Sequence, residues 1–265
     1  GIEIVAAVEP VEAPLALVEQ PRIAIYQSYS PSMPEGWVRW ALDHYEIPFD
    51  ILHYDDIESS VLERYSVLFL PPGGSSPRQM VEGRGASDGR GGGPVPPEYA
   101  GGIGDEGVLA IRDFVEEGGV LFTWSDAWTF LAEYMDVDVE AVNRGLPQTE
   151  FNIPGSILRV DVDTDNPLGY GLPKETAIFF RNDDAWSPET PGSNVVALYP
   201  SEDLLLSGWI QGEQYLVNQA AMLEIPRGKG RMVMAGFYPE YRAQAHLTYK
   251  IMFNAIFYPR GEANR

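Results

Sequence analysis

Side chains suited to acyl-transfer chemistry fall in two short stretches of this 265-residue chain. Ser125-Asp126 directly follows the β-rich run 120–124, and Tyr238 and Glu240 directly follow the apolar run 231–235. In an open α/β sheet, ligands and reacting groups gather at the carboxyl ends of strands, so residues 124–127 stand where a nucleophile elbow would be. No cysteine occurs anywhere in the chain, which removes thiolate nucleophiles, disulfides and Cys-ligated zinc together. Ser125, Asp126 and His246 supply the residue types of a Ser/His/Asp site. The glycines of a Gly-x-Ser-x-Gly elbow are missing, because Thr123 and Ala127 occupy their places.

Other polar residues carry two readings each. Arg242, Gln244 and His246 form a cluster at the expected start of the last helix; they read as an anion-recognition group for a carboxylate, or as a hydrogen-bonded brace between strand and helix. Ser28, Glu35 and the Gly73-Gly74 turn follow the first and third strands and would rim one crevice with Ser125 and Arg242, with Trp37 and with Glu98-Tyr99 beyond. His53 precedes Tyr54-Asp55-Asp56, and a strand-end histidine capped by local acids fits it better than a metal site. His44 reads as a cation at a helix C-terminus. Oxygen ligands alternate along 161–166, DVDTDN, yet the sixth-place glycine and twelfth-place glutamate of a calcium loop are absent.

The elements that must position these groups can be read from periodicity. Residues 22–26, RIAIY, form a buried strand, 35–45 an amphipathic helix with Trp37, Val38, Ala41 and Leu42, and 49–53 a second strand. A short helix closes at 62–64, and a third strand covers 66–70. Val108, Ile111, Phe114 and Val115 lie at helical spacing before the Gly118-Gly119 stop and the strand 120–124, and a further helix is expected over 127–135. From 156 onward the pattern turns to short strands at 157–162, 177–180 and 195–199, then a hairpin pairing 221–225 with 231–235, then a helix over 243–257. Segment 71–104 is an excursion whose Gly/Pro-rich stretch 83–97 is expected to be mobile. Residues 1–20 read as a linker or N-terminal strand, 21–259 as one α/β domain and 260–265 as a tail.

Composition narrows the partners. The net charge of −21 repels nucleic acid and anionic membrane surfaces alike. No apolar run approaches the roughly 20 residues of a membrane-spanning helix. The chain begins with Gly1, which reads as a processed protein or a piece of a longer one.

Three segments carry a resemblance. Leu70-Pro71-Pro72-Gly73-Gly74-Ser75, the run 120–127 and Gly236-Phe237-Tyr238-Pro239-Glu240 resemble the oxyanion turn, the elbow and the Phe-His-Pro-Glu segment of class I glutamine amidotransferase-like domains. The fold implied is a flavodoxin-like three-layer sandwich, mostly parallel, with antiparallel additions in the second half. Ser125 or Asp126 stands where that family carries its cysteine and Tyr238 where it carries histidine, leaving Glu240 alone of the triad. Ser125, Asp126, Tyr238 and Glu240 are therefore degenerate positions, and the chain itself is expected not to be catalytic.

A narrower resemblance covers PPEYAGGIGDEGVLAIRDFVEEGGVL, PGSILRVDVDTDNPLGYGLP and GFYPEYRAQAHLTYKIMFNAIFY. These are similar to the amidotransferase-like domain that follows the catalytic domain in large bacterial zinc carboxypeptidases of the carboxypeptidase A-like family. The resemblance implies an upstream peptidase domain as partner and a secreted or periplasmic parent. It also implies zinc held there by a His-x-x-Glu pair and a distant His, with no cofactor in this chain. An accessory role in interdomain packing or in binding a peptide or small carboxylate is then expected. The alternatives are a hydrolase rebuilt on Ser125, Asp126 and His246, or a stand-alone small-ligand-binding module.

Overall fold

Consecutive apolar residues pair in parallel in the first half because a crossover helix returns the chain to the same end of the sheet each time. The computed structural model describes residues 20–30, 32–84 and 95–258. In order these form β1 (Ile23–Tyr26), α1 (Met33–His44), β2 (Asp50–Leu52), α2 (Ser59–Leu62), β3 (Val67–Leu70), α3 (Pro77–Glu82), α4 (Gly104–Glu116), β4 (Val120–Trp124) and α5 (Thr129–Tyr134). The second half adds β5 (Ser156–Val162), β6 (Glu175–Phe180), β7 (Asn194–Leu198), β8 (Leu205–Ser207), β9 (Ala220–Arg227), β10 (Gly230–Ala235) and α6 (Tyr249–Phe257). One sheet runs β2-β1-β3-β4-β10-β9-β7-β5-β6, with β8 alongside β5. Pairings from β2 to β10 are parallel, and those beyond β10 are antiparallel.

Successive strand residues point to opposite faces, which divides the core in two. Ile23, Ile25, Phe69, Phe122 and Trp124 pack with Val38 and Leu42 of α1 and Ile251 and Met252 of α6. Ala24, Tyr26, Leu68, Leu70 and Leu121 pack on the other side with Ile111 and Val115 of α4 and Leu131 of α5. The expected flavodoxin-like three-layer sandwich is therefore present, with α1 and α6 on one face and α2, α4 and α5 on the other.

Several boundaries differ from expectation. The short helix that closes at 62–64 covers Ser59–Leu62, with Glu63 and Arg64 in the turn that ends it. Segment 71–104 contains α3, started by a capping box in which Ser76 and Gln79 exchange bonds, and this was hidden by the surrounding Pro and Gly. Within the 83–97 stretch, residues 85–94 lie outside the described residues, as do 1–19 of the expected linker and the tail 260–265. The hairpin turn is tighter than a 226–230 loop, since Arg227 faces Gly230. Pro226 is tolerated because it lies beyond Glu224, the last β9 residue paired to β7. β8, the exposed Leu205–Ser207, carries two leucines but is only three residues long, too short for a strand period to show.

The last helix is the largest correction. It begins at Tyr249, not at 243, because Arg242 and Ala243 adopt left-handed φ of 49° and 54° that turn the chain out of any helix. Residues 241–248 are instead a 3₁₀ turn and a tied loop, in which the Thr248 hydroxyl donates to the Pro239 carbonyl at 2.6 Å.

Candidate functional site

β4 ends in a sharp turn, and Ser125 takes it with φ of 48°, the left-handed conformation of an elbow. The hydroxyl does not face solvent. Ser125 is 6% exposed, its Oγ lying 2.5 Å from Asp183 Oδ1 and 3.1 Å from the Tyr238 hydroxyl. Asp183 arrives from the loop after β6, where Asn143 braces the chain by donating to the Asp183 carbonyl and accepting from the Ala185 N–H. The Asp183 carboxyl also accepts the Arg181 N–H at 2.9 Å. Gly236 permits this approach, because a Cβ there would sit 2.0 Å from the Asp184 carbonyl.

Burial governs the electrostatics of this cluster. Desolvation pushes the Asp183 carboxyl up to about 8, against the bonds from Ser125 and Arg181 that favour its charge. Glu240 is fully buried, accepts from Trp124 Nε1 at 2.8 Å through one oxygen and has no partner on the other. Desolvation pushes it up to about 8 as well. Both acids are therefore mainly protonated at neutral pH. The Tyr238 phenol is raised too, by desolvation first and by Asp183 second. Burial thus disfavours the charged form of Asp183, the one carboxyl in hydrogen-bond contact with the Ser125 hydroxyl.

One residue further on, the chain faces a crevice. Asp126 lines a cavity of about 480 Å³ together with Ser28, Ser32, Glu35, Gly73 and Trp128. Gly74, with φ of +75°, lets the turn after β3 press on the loop after β1, since a Cβ there would lie 2.6 Å from Ser28 Oγ. Asp126 has an exposed side chain whose carboxyl pKa is raised, by desolvation first, with Asp184 adding to the effect. Arg144 and the backbone N–H groups of Asp126 and Gly73 oppose that shift. Gly73 belongs to the turn that the resemblance likens to an oxyanion turn, and it lines the cavity beside Asp126.

Arg144 spends its charge locally. It pairs with Asp184 Oδ2 at 2.9 Å and lies over the Trp128 ring at 5.3 Å, while Trp128 Nε1 donates to the same Asp184 oxygen at 2.8 Å.

The structure joins Ser125, Tyr238 and, through Trp124, Glu240 at the elbow, and Ser28, Glu35, Gly73 and Asp126 at the crevice. Gly74 supports that crevice from behind. Arg242, Gln244 and His246 are exposed and absent from the cavity wall, because the left-handed pair 242–243 turns them to solvent. The His246 ring packs on Tyr249, and Ser125 takes Asp183 and Tyr238 as partners instead of His246. Tyr99 stacks on Tyr29 at 4.6 Å, and Trp37 meets Tyr238 and Tyr241 edge-on. His53 is held by the Gln27 carbonyl through Nδ1 and by Asp56 through its N–H, the capping arrangement. In 161–166, Asp163 accepts from Asp165 N–H and Asn166 caps the next turn, so these oxygens serve the chain. Among the described residues no group of three His, Asp or Glu side chains gathers that could hold a metal ion.

Sequence reading missed Asp183, Asp184, Arg144 and Asn143. The one available signal was the doubled acid Asp183-Asp184 at a strand end, but 58 residues separate Asp183 from Ser125, and spacing is silent at that range.

No protein-family model matches the chain, and no curated protein matches it in sequence. Solved structures match its fold. The cytoplasmic protein STM3548 from Salmonella typhimurium aligns with a TM-score of 0.54 at 10% identity over 91% of this chain and 100% of its own. A protein described as ThuA-like from Bacteroides uniformis ATCC 8492 aligns at 0.51 and 11% identity, covering 93% of this chain and 94% of that one. A GMP synthase-type protein from Thermoplasma acidophilum aligns at 0.52 and 14%, covering 90% and 93%. The chain therefore has the glutamine amidotransferase-like fold over almost its whole length.

Proposed function

We propose that this chain is a non-catalytic, amidotransferase-like domain that binds through its crevice, and that it serves as an accessory domain of a secreted or periplasmic zinc carboxypeptidase. The observation that carries the non-catalytic reading is the placement of Ser125, buried at 6% exposure between Asp183 and Tyr238 and absent from the cavity wall. A substrate in the crevice meets Asp126, not Ser125.

The accessory role rests on the three long segments quoted above and on the retained fold, in which both reacting positions are replaced. In that setting the partner is the upstream peptidase domain, which would hold the zinc. Mass-spectrometric sequencing of the natural protein upstream of Gly1 tests this. A peptidase domain with a His-x-x-Glu pair is expected, and a natural chain without one would overturn the accessory role. Incubation of the purified domain with glutamine, amide and ester substrates in the presence of a zinc chelator tests the other half. No turnover is expected.

A further inference from the structure

The wall of the crevice is built of hydrogen-bond acceptors. The Ser28 hydroxyl donates to the Ser30 carbonyl at 3.0 Å, the Ser32 hydroxyl to Pro72 at 2.7 Å and the Thr129 hydroxyl to Asp126 at 2.8 Å, all backbone oxygens. Each proton is thereby turned into the protein, and the Ser28 and Ser32 oxygens, which also accept the Ser30 and Glu35 N–H groups, keep one lone pair each for a ligand. Three carboxylates, Glu35, Asp126 and Glu133, line the same cavity. Its cation, Arg144, is held by Asp184.

Glu35 is the most buried of the three. Its side chain is 6% exposed, and Arg39, with 43% of its own side chain exposed, donates to it from Nη1 at 3.4 Å. Charge-assisted pairs usually close to about 2.7–2.9 Å, so this carboxylate is partnered by a long bond to a solvated cation. Trp128, Phe130, Met80 and Leu70 supply apolar surface to the same space. An acceptor-rich, negatively charged cavity with an apolar wall matches a ligand that is a donor and a cation on a methylene stem.

We infer that the crevice binds an alkylammonium group, with Glu35 and the Ser28 and Ser32 oxygens receiving its N–H donors. This rests on the binding-crevice reading above and names its ligand class. At about 480 Å³ the cavity takes a chain of several methylenes, whether from a free diamine or from a lysine side chain of a peptide. A carboxylate or phosphate ligand would face the same acceptors and charges and be repelled.

Titration of the ¹⁵N-labelled domain with cadaverine, with Nα-acetyl-lysine methylamide and with diacetylated cadaverine distinguishes the outcomes. Saturable shifts of the Ser28, Gly73 and Ala127 amides with either amine are expected, and none with the diacetylated compound. The tighter of the two amines identifies a free or a peptide-borne source. Glu35→Gln should weaken binding about tenfold or more. Glu133→Gln, at an exposed position that cannot threaten folding, should weaken it about two- to threefold. The inference falls if neither amine gives saturable shifts, if the diacetylated compound binds equally, or if neither substitution changes affinity. Saturable binding of acetate or glucose at these amides in place of the amines overturns the ammonium assignment and leaves the non-catalytic reading standing, whereas Ser125-dependent hydrolysis overturns the reading itself.

Discussion

The elbow and the crevice lie one residue apart along the chain and have opposite physical character. At Ser125 the polar groups are sealed in: two acids pushed up to about 8, a phenol raised further and a hydroxyl with two partners. At Asp126 they are open, charged and arranged as acceptors around a cavity. The left-handed turn at Ser125 is what separates them, since it reverses the chain so that consecutive side chains enter different environments. An elbow that would present a nucleophile on this fold here points its hydroxyl inward and its neighbouring carboxylate outward. The elbow turn thus places Asp126, and not Ser125, at the crevice.

The sealed side should be the more costly to disturb. Trp124→Ala removes a fully buried indole and the donor to Glu240, and we expect a loss of about 4–5 kcal/mol in unfolding free energy by denaturant titration. A loss below about 2 kcal/mol would erase the contrast with the crevice.

Proton linkage gives the next effect. Asp183 and Glu240 rise from ordinary values of 3.8 and 4.5 to about 8, so between those limits the folded chain keeps protons that the unfolded chain releases. Their contribution to stability is full below pH ~4, falls by about 1.4 kcal/mol per pH unit for each group as pH rises, and levels above pH ~8. Asp183→Asn should remove one such slope when unfolding free energies are compared across this range, and the same slope in both proteins would contradict the burial argument.

Ser125→Ala deletes one hydrogen-bonding group inside the cluster. A cost of about 1 kcal/mol is expected with cadaverine affinity unchanged, because Ser125 does not line the cavity. Arg144→Ala removes one partner of Asp184, whose side chain is 13% exposed, and leaves it the Trp128 Nε1 donor, so a stability loss of about 1 kcal/mol is expected while amine binding strengthens. Weaker amine binding in this variant would place Arg144 among the ligand contacts instead of the counter-charges.

The sequence declared the sandwich because its signals were local. Runs such as IAIY and VLFL have no polar break, and α1 and α4 show helical spacing before a clear stop. Ser28, Glu35 and Gly73 were legible as crevice residues for the same reason, each following a parallel strand at its carboxyl end, whereas Ser125 was expected at the crevice and its neighbour Asp126 lines it instead. What stayed hidden depended on distance or on backbone dihedrals. Asp183 reaches Ser125 from the antiparallel half, and no periodicity links the two. Arg242 and Ala243 are ordinary residues in a helical-looking stretch, and only tertiary packing holds them at left-handed φ, taking Gln244 and His246 away from the site. Glu35, Arg144 and the committed serine protons became informative only once partners and distances were known.

The most direct test of the central claim is intact-mass analysis of the domain after exposure to a fluorophosphonate and, separately, to an iodoacetyl-glutamine analogue. A serine buried between Asp183 and Tyr238 and away from the cavity should carry no adduct at neutral pH. A stoichiometric adduct on Ser125, absent from Ser125→Ala, would contradict the account and restore a nucleophile to the elbow.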